Sequence, residues 1–241
     1  MRTISSSLSI ILATALAFSG AARAEQMRPI TANPSSLSNA ELDSRLSFIE
    51  GRLDAHRTHA YRWQWGWVGI YGSGLVVQSI RAGVSEDNEH QADYVVSAVK
   101  AAGGVARMYL APHPSRNGGD ELREMAATTR EAKARKLARA EELLAENAKF
   151  TNRRKSPKAH VANVLVNVAG GAIVWGLGAP SAALEATLVG IAVGTANILS
   201  SPWYGDQDLA DYKARFGAGS ARGWDWKLVP TMGGAAVQVT F

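Results

Sequence analysis

The sequence predicts a mainly α-helical fold: a multi-helix bundle with a Gly/Ala-rich apolar helical hairpin and a small C-terminal β-hairpin. Three observations carry this expectation. Apolar residues recur at three- and four-residue spacings along most of the chain. Two nearly charge-free stretches, 161–178 and 182–199, flank a proline turn. The period then changes to two in the closing segment. Composition narrows the alternatives further. With 46% hydrophobic and 20% charged residues the chain is not of the disordered class, and with no Cys it carries neither a disulfide framework nor cysteine chemistry.

Residues 1–24 have the pattern of a secretory signal peptide. Arg2 supplies the positive start, residues 8–18 form the apolar run, and Ala22, Arg23 and Ala24 give the small-x-small cleavage site. Cleavage is expected after Ala24. Of the 26 Lys and Arg, Arg2 and Arg23 fall in that segment, so the remaining 24 exceed the 21 acids by three. That surplus is too small to suggest nucleic-acid binding. Export without cysteine points to a bacterial periplasm or the periplasm-facing inner membrane. Residues 25–37, with Pro29 and Pro34, are expected to form an extended lead-in to a helical bundle over 38–220.

Ser38 followed by Glu41 is a capping box, and Leu37 is placed to staple onto Leu42. Leu42, Leu46, Ile49 and Leu53 then form one apolar stripe of a helix. The same helix is expected to continue through the aromatic cluster of Trp63, Trp65, Trp67 and Tyr71 into the charge-free stretch 66–80. Gly66, Gly69, Gly72 and Gly74 would each weaken an isolated helix by up to about 1 kcal/mol. They make sense where another backbone comes close. Residues 85–88 mark a break, and helical spacing resumes from Tyr94 to Leu110, ending at Pro112 and Pro114. A long charged helix is expected from Asp120 to about Phe150, with a thin apolar face of Leu122, Met125, Thr129, Leu137 and Leu144. A basic, Pro-broken linker of Arg153, Arg154, Lys155 and Lys158 closes it.

Region 161–199 is the most informative. Ala182, Ala186, Gly190 and Gly194 recur every four residues, and Gly190 and Gly194 make a GxxxG; such small rows let a neighbouring helix approach closely. On the first arm Asn163, Asn167 and Gly171 share one face, which an antiparallel hairpin brings near Asn197. Two readings of the hairpin stay open. Each arm of about 17 residues spans roughly 26 Å, the lower limit for crossing a bilayer. Lys155 and Lys158 flank one end, and Trp203 and Tyr204 fall where an aromatic belt would. Against crossing, Asn163, Asn167, Glu185 and Asn197 are costly in hydrocarbon, and a buried hairpin in a water-soluble bundle fits the same pattern. The third charge-free stretch, 66–80, tips the balance toward membrane association. Trp63, Trp65, Trp67, Arg153, Arg154, Lys155, Lys158, Trp203 and Tyr204 are therefore the candidate interface residues.

Residues 206–216 read as a short amphipathic helix. In 221–241, Trp224, Trp226 and Leu228 alternate with polar residues, 230–234 form a turn, and Ala235, Val237, Val239 and Phe241 alternate again. The terminal Phe and its alternation resemble the last strand of outer-membrane β-barrel proteins, over about seven residues only, and the helical remainder does not make a barrel.

Residues with catalytic or ligand chemistry are few. His56 and His59, three apart on a helix, are the sole candidate metal pair, and a third ligand would have to come from afar, such as His90 or Asp93. No nucleophile elbow, P-loop or dinucleotide fingerprint occurs. No cofactor and no nucleic-acid partner are expected; membrane lipid or another envelope protein is the expected partner. Three functions follow in order: a non-catalytic exported envelope protein with a structural or adaptor role, a soluble periplasmic bundle holding a small hydrophobic ligand, and, trailing both, an enzyme with a His/Asp/Glu pocket.

Overall fold

The computed structural model describes residues 30–31 and 34–217, and the backbone of 225–231 and 234–240. The signal peptide expected at 1–24 and about half of the lead-in at 25–37 lie outside the described residues. Within the lead-in Pro34–Ser36 form a 3-10 turn rather than the extended chain expected, closed by the Leu37 amide on the Pro34 carbonyl at 3.3 Å. Those that are described are mainly helical. Seven α-helices follow one another: α1 (Asn39–Val84), α2 (Asn88–Leu110), α3 (Asp120–Glu124), α4 (Arg130–Lys155), α5 (Pro157–Gly176), α6 (Pro180–Leu199) and α7 (Gly205–Phe216). Strands β1 (Asp225–Thr231) and β2 (Gly234–Thr240) run antiparallel, with Trp226 opposite Val239 and Leu228 opposite Val237. The side chains of 221–241 lie outside the described residues.

Helix α1 starts at its cap. Ser38 Oγ accepts the Glu41 amide at 3.2 Å, satisfying one of the orphan donors of the first turn. The helix then runs 46 residues without a break, about 69 Å at 1.5 Å per residue. It survives its glycines because α2 folds back and packs along it. The close approach expected at those glycines is made at Gly74 alone of the four: a Cβ there would meet Ala101 Cβ at 3.8 Å, whereas at Gly66, Gly69 and Gly72 it would meet nothing within 4 Å. The tighter contact comes from the other side, where Gly104 of α2 receives the Tyr71 ring.

The long helix expected from Asp120 to Phe150 is two helices. Helix α3 ends at Glu124, Met125 turns extended, and Thr129 caps a fresh start by accepting the Ala132 amide at 3.2 Å. Thr129, expected on the apolar face, is instead the N-cap of α4, a position that Thr favours because its hydroxyl accepts a first-turn amide. Helix α4 is also less exposed than its charge suggests. Ala132, Ala134, Ala140 and Ala148 are buried beside Leu137, Leu143 and Leu144, because small side chains let flanking helices close on it. It continues past Phe150 to Lys155, so Arg153, Arg154 and Lys155 are its last turn rather than a linker. The break is confined to Ser156, after which Pro157 opens α5.

Two regions result. In the first, Leu42, Leu46, Ile49 and Leu53 of α1 meet Leu122, Leu137, Leu144, Tyr212 and Phe216 in one core. Its polar centre is Glu141, which accepts from the Tyr212 hydroxyl at 2.6 Å, the Thr31 amide at 2.9 Å and the Thr31 hydroxyl. Arg45 donates to Thr31 Oγ1 at 3.0 Å and to the Phe216 carbonyl at 2.9 Å, tying the lead-in, α1, α4 and α7 together. In the second region α5 and α6 form an antiparallel hairpin, and α2 packs on both arms.

Candidate functional site

The hairpin seam is built from reciprocal pairs of a small residue and a polar one. A Cβ on Gly190 would fall on the Asn167 amide, one on Gly194 on the Asn163 amide, and one on Gly171 on the Thr187 hydroxyl. The small residues of α6 therefore do more than bring two backbones together: they are the sockets for the α5 asparagines. Once seated, the amides are satisfied in place. Asn163 Nδ2 donates to the Ile191 carbonyl at 3.0 Å and to Thr195 Oγ1 at 3.2 Å, and Asn167 Nδ2 donates to the Asn163 carbonyl at 2.9 Å. Ala186 is buried in the same seam, while its neighbour Ala183 is more buried than Ala182. Asn197 is not part of this ladder. It turns away from the α5 asparagines toward Arg154, whose Nη2 donates to Asn197 Oδ1 at 2.7 Å.

Lys100 of α2 reaches the same seam, with Nζ 3.2 Å from the Ala186 carbonyl and 3.4 Å from Asn167 Oδ1. Polar groups thus line the inside of α2, α5 and α6. The outside is apolar: Val164, Leu165, Val168, Trp175, Leu184, Leu188 and Val189 are exposed, Val168 by 48% and Leu188 by 58%. Both hairpin helices are long and apolar enough to cross a membrane, and 22% of each apolar window is buried within the chain.

The candidate interface residues divide. Trp65 and Tyr204 are exposed, as are Arg153, Lys155 and Lys158, while Trp203 is half-buried. Trp63 and Trp67 are not at a lipid-facing surface. They are buried with Met108 where the two regions join, Trp63 Nε1 donating to the Asn197 carbonyl at 3.3 Å and Trp67 Nε1 to Ser200 Oγ at 2.9 Å. Arg154 is likewise interior, 4% exposed, its guanidinium 4.8 Å from the Trp63 ring centre and 5.6 Å from that of Phe150. Charge runs read from sequence do not reveal which member turns inward; Arg154 does so because it lies on the buried side of α4 with Thr151, Asn147 and Leu144.

His113 sits beside this cluster, 2% exposed and edge-on to Phe150. Its Nδ1 accepts the Ser115 amide at 3.1 Å, and the Gln64 side chain receives the His113 amide at 3.0 Å. Burial pushes its pKa down to about 3, with Arg154 adding repulsion, so the ring is neutral at ordinary pH. Sequence spacing gave no sign of this role, since His113 lies between two prolines in a connection.

His56 and His59 do face one way, but toward other partners. His56 Nε2 lies 3.0 Å from Asp208 Oδ2, with its ring stacked on Tyr204 at 4.2 Å, and His59 Nε2 lies 3.3 Å from the Ser200 carbonyl. Among the described residues no group of three or more His, Asp or Glu is placed to hold a metal ion. Glu185, the one carboxylate of the hairpin, is exposed near the start of α6. A shallow groove of about 560 Å³ lies on α1, lined by Gly69, Gly72, Ser73, Val76 and Val77. Comparison of the chain with protein families, with curated proteins and with solved structures finds no match in any of the three.

Proposed function

We propose that this chain is a non-catalytic protein of a bacterial envelope, with a structural or adaptor role. In this reading α5 and α6, with α2 against them and the second half of α1 packed on α2, lie in the bilayer. The α1–α4–α7 core stands in the aqueous phase. The single observation that carries the reading is the inverted polarity of the α5–α6 pair, with asparagines seated inside and valines and leucines outside. Water would reverse that arrangement, because it solvates amides and drives leucine inward. Hydrocarbon favours it, because a polar group there needs an internal partner and an apolar one needs none. The dimensions agree: 20 residues in each of α5 and α6 make about 30 Å, the thickness of a hydrocarbon core. Lys155, Lys158 and Tyr204 fall near the aqueous end, where lysine ammonium groups and tyrosine rings suit a headgroup layer. An isolated two-stranded hairpin is marginal in water, so β1 and β2 rest on the bundle or on another chain in this reading.

The test is fractionation. After alkaline carbonate extraction of cell membranes the chain is expected in the pellet, and release into the supernatant would remove the embedded reading. That outcome would favour the second reading, a soluble periplasmic bundle with a small hydrophobic ligand. The open α1 groove beside Val76 and Val77 supports it.

A further inference from the structure

At the junction of the two regions lies a cluster of donors with no acid to receive them. Arg154 spends Nη2 on the Asn197 carbonyl and side chain, at 3.3 and 2.7 Å. Its Nε and Nη1 are buried with no hydrogen-bond partner, and so is Asn197 Nδ2. That leaves three guanidinium N–H bonds and both amide N–H bonds unspent. The ionisable groups bearing on Arg154 are a second guanidinium, Arg107 at the C-terminal turn of α2, and the Tyr71 phenol. The Tyr71 ring lies against Gly104, which shares a face of α2 with Arg107 three residues on, and packs on the Trp63 and Met108 cluster that borders Arg154. Among the described residues no carboxylate pairs with either arginine. The two aromatic faces over Arg154 offset part of its burial, and the C-terminal dipoles of α2 and α4 favour cations there. Neither supplies an acceptor for the free N–H groups.

We propose that Arg154, Arg107, Tyr71 and Asn197 form a binding site for a phosphate group, chiefly the phosphodiester of an anionic lipid headgroup. A guanidinium fork presents parallel N–H bonds that match the oxygens of such a group. An amide from a second helix and an exposed arginine from a third complete a donor set of the kind a multi-oxygen anion satisfies and a carbonyl does not. The anion would also remove the repulsion between the two guanidinium groups. The choice of a lipid as its source rests on the membrane reading above, because the cluster lies where the apolar helices meet the aqueous core. The donor set itself does not depend on that reading.

The experiment is thermal unfolding of the full chain in a neutral detergent at fixed ionic strength. One arm adds short-chain phosphatidylglycerol, with phosphatidylcholine of equal chain length as control, and the other adds inorganic phosphate against chloride. A ligand that binds only the folded chain raises Tm saturably. The expected result is such a rise with phosphatidylglycerol, with half-saturation weakened about tenfold in Arg107→Gln and unchanged in Lys158→Gln. Arg107 is exposed, so its variant folds even where Arg154→Lys does not. An equal rise with inorganic phosphate alone assigns the site to free phosphate; a rise confined to the lipid assigns it to the headgroup. No saturable rise with either probe, or the same rise in Arg107→Gln as in wild type, overturns the site. If carbonate extraction frees the chain from membranes, the phosphate arm still tests it.

Discussion

The two regions of this molecule apply opposite rules to the same amino acids. In the α1–α4–α7 core, leucine and isoleucine are inside, and the rim is charged: Lys133 holds Asp43 at 2.7 Å, Arg139 holds Glu121 at 2.6 Å, and Arg123 holds Asp54 at 2.7 Å. In the α5–α6 pair the seam holds amide, hydroxyl and glycine beside one small apolar cluster of Val174, Ala179 and Ala183 with Val96 of α2, and the rim is valine, leucine and tryptophan. The two share the single helix α1, which takes part in the charged rim at Asp54 and turns apolar outward by Val76. Burial of a leucine is therefore not a property of this chain as a whole but of the surroundings of each half.

The sharpest break of that comparison is a matched pair of deletions. Leu144→Ala empties a fully buried site in the first core and is expected to destabilise by about 2–5 kcal/mol. Leu188→Ala, at an exposed position of α6, is expected to change stability by under about 0.5 kcal/mol. Chemical unfolding of each variant in detergent measures both, and equal losses would erase the distinction between the regions.

A second pair sharpens it at glycine. Gly190→Leu drives a side chain into the Asn167 socket, and the expected cost is about 1–3 kcal/mol or more. Gly69→Ala meets open space and gains helix propensity, up to about 1 kcal/mol in favour of the fold. Melting temperatures that move the same way in both variants would mean the asparagine sockets are wrongly placed.

A third test lies at the seam between the regions. His113 has a pKa of about 3 in the fold and the ordinary 6.5 when unfolded. Between those values the unfolded chain binds a proton that the native chain does not. Stability at this group is therefore complete above pH 6.5 and declines as pH falls toward 3, by at most about 1.4 kcal/mol per pH unit. Asp54, held below the usual carboxylate range by Arg123 and the Gly119 amide, adds its own loss only at lower pH. Unfolding followed from roughly pH 7 to 4.5 should decline less steeply in His113→Gln than in wild type. Parallel curves would show that the ring is not buried neutral.

Much of the helical plan is legible in the chain. Capping at Ser38, the Leu42-to-Leu53 stripe, the break at residues 85–88 and the proline starts of α5 and α6 are local signals, and local backbone chemistry enforces them. The division of 120–155 at Thr129 was also local, yet a run of strong helix formers on both sides masks it. The candidate site is legible only in part. A four-residue glycine spacing announces a close neighbour, but it does not tell whether a backbone or an asparagine fills the space. The pairing of His56 with Asp208, across about 150 residues of chain, carries no sequence signal at all.

By itself, then, the sequence determined where helices begin and end and which faces are apolar, because caps, prolines and periodicity act within a turn or two. Tertiary structure alone decided which charges turn inward: Arg154 is buried and Lys100 half-buried against the hairpin, while Arg153 and Lys158 are exposed. Inward and outward are defined by the elements that pack on a helix, and those come from distant parts of the chain. The unsatisfied donors around Arg154 exist only once α1, α2, α4 and α6 converge there.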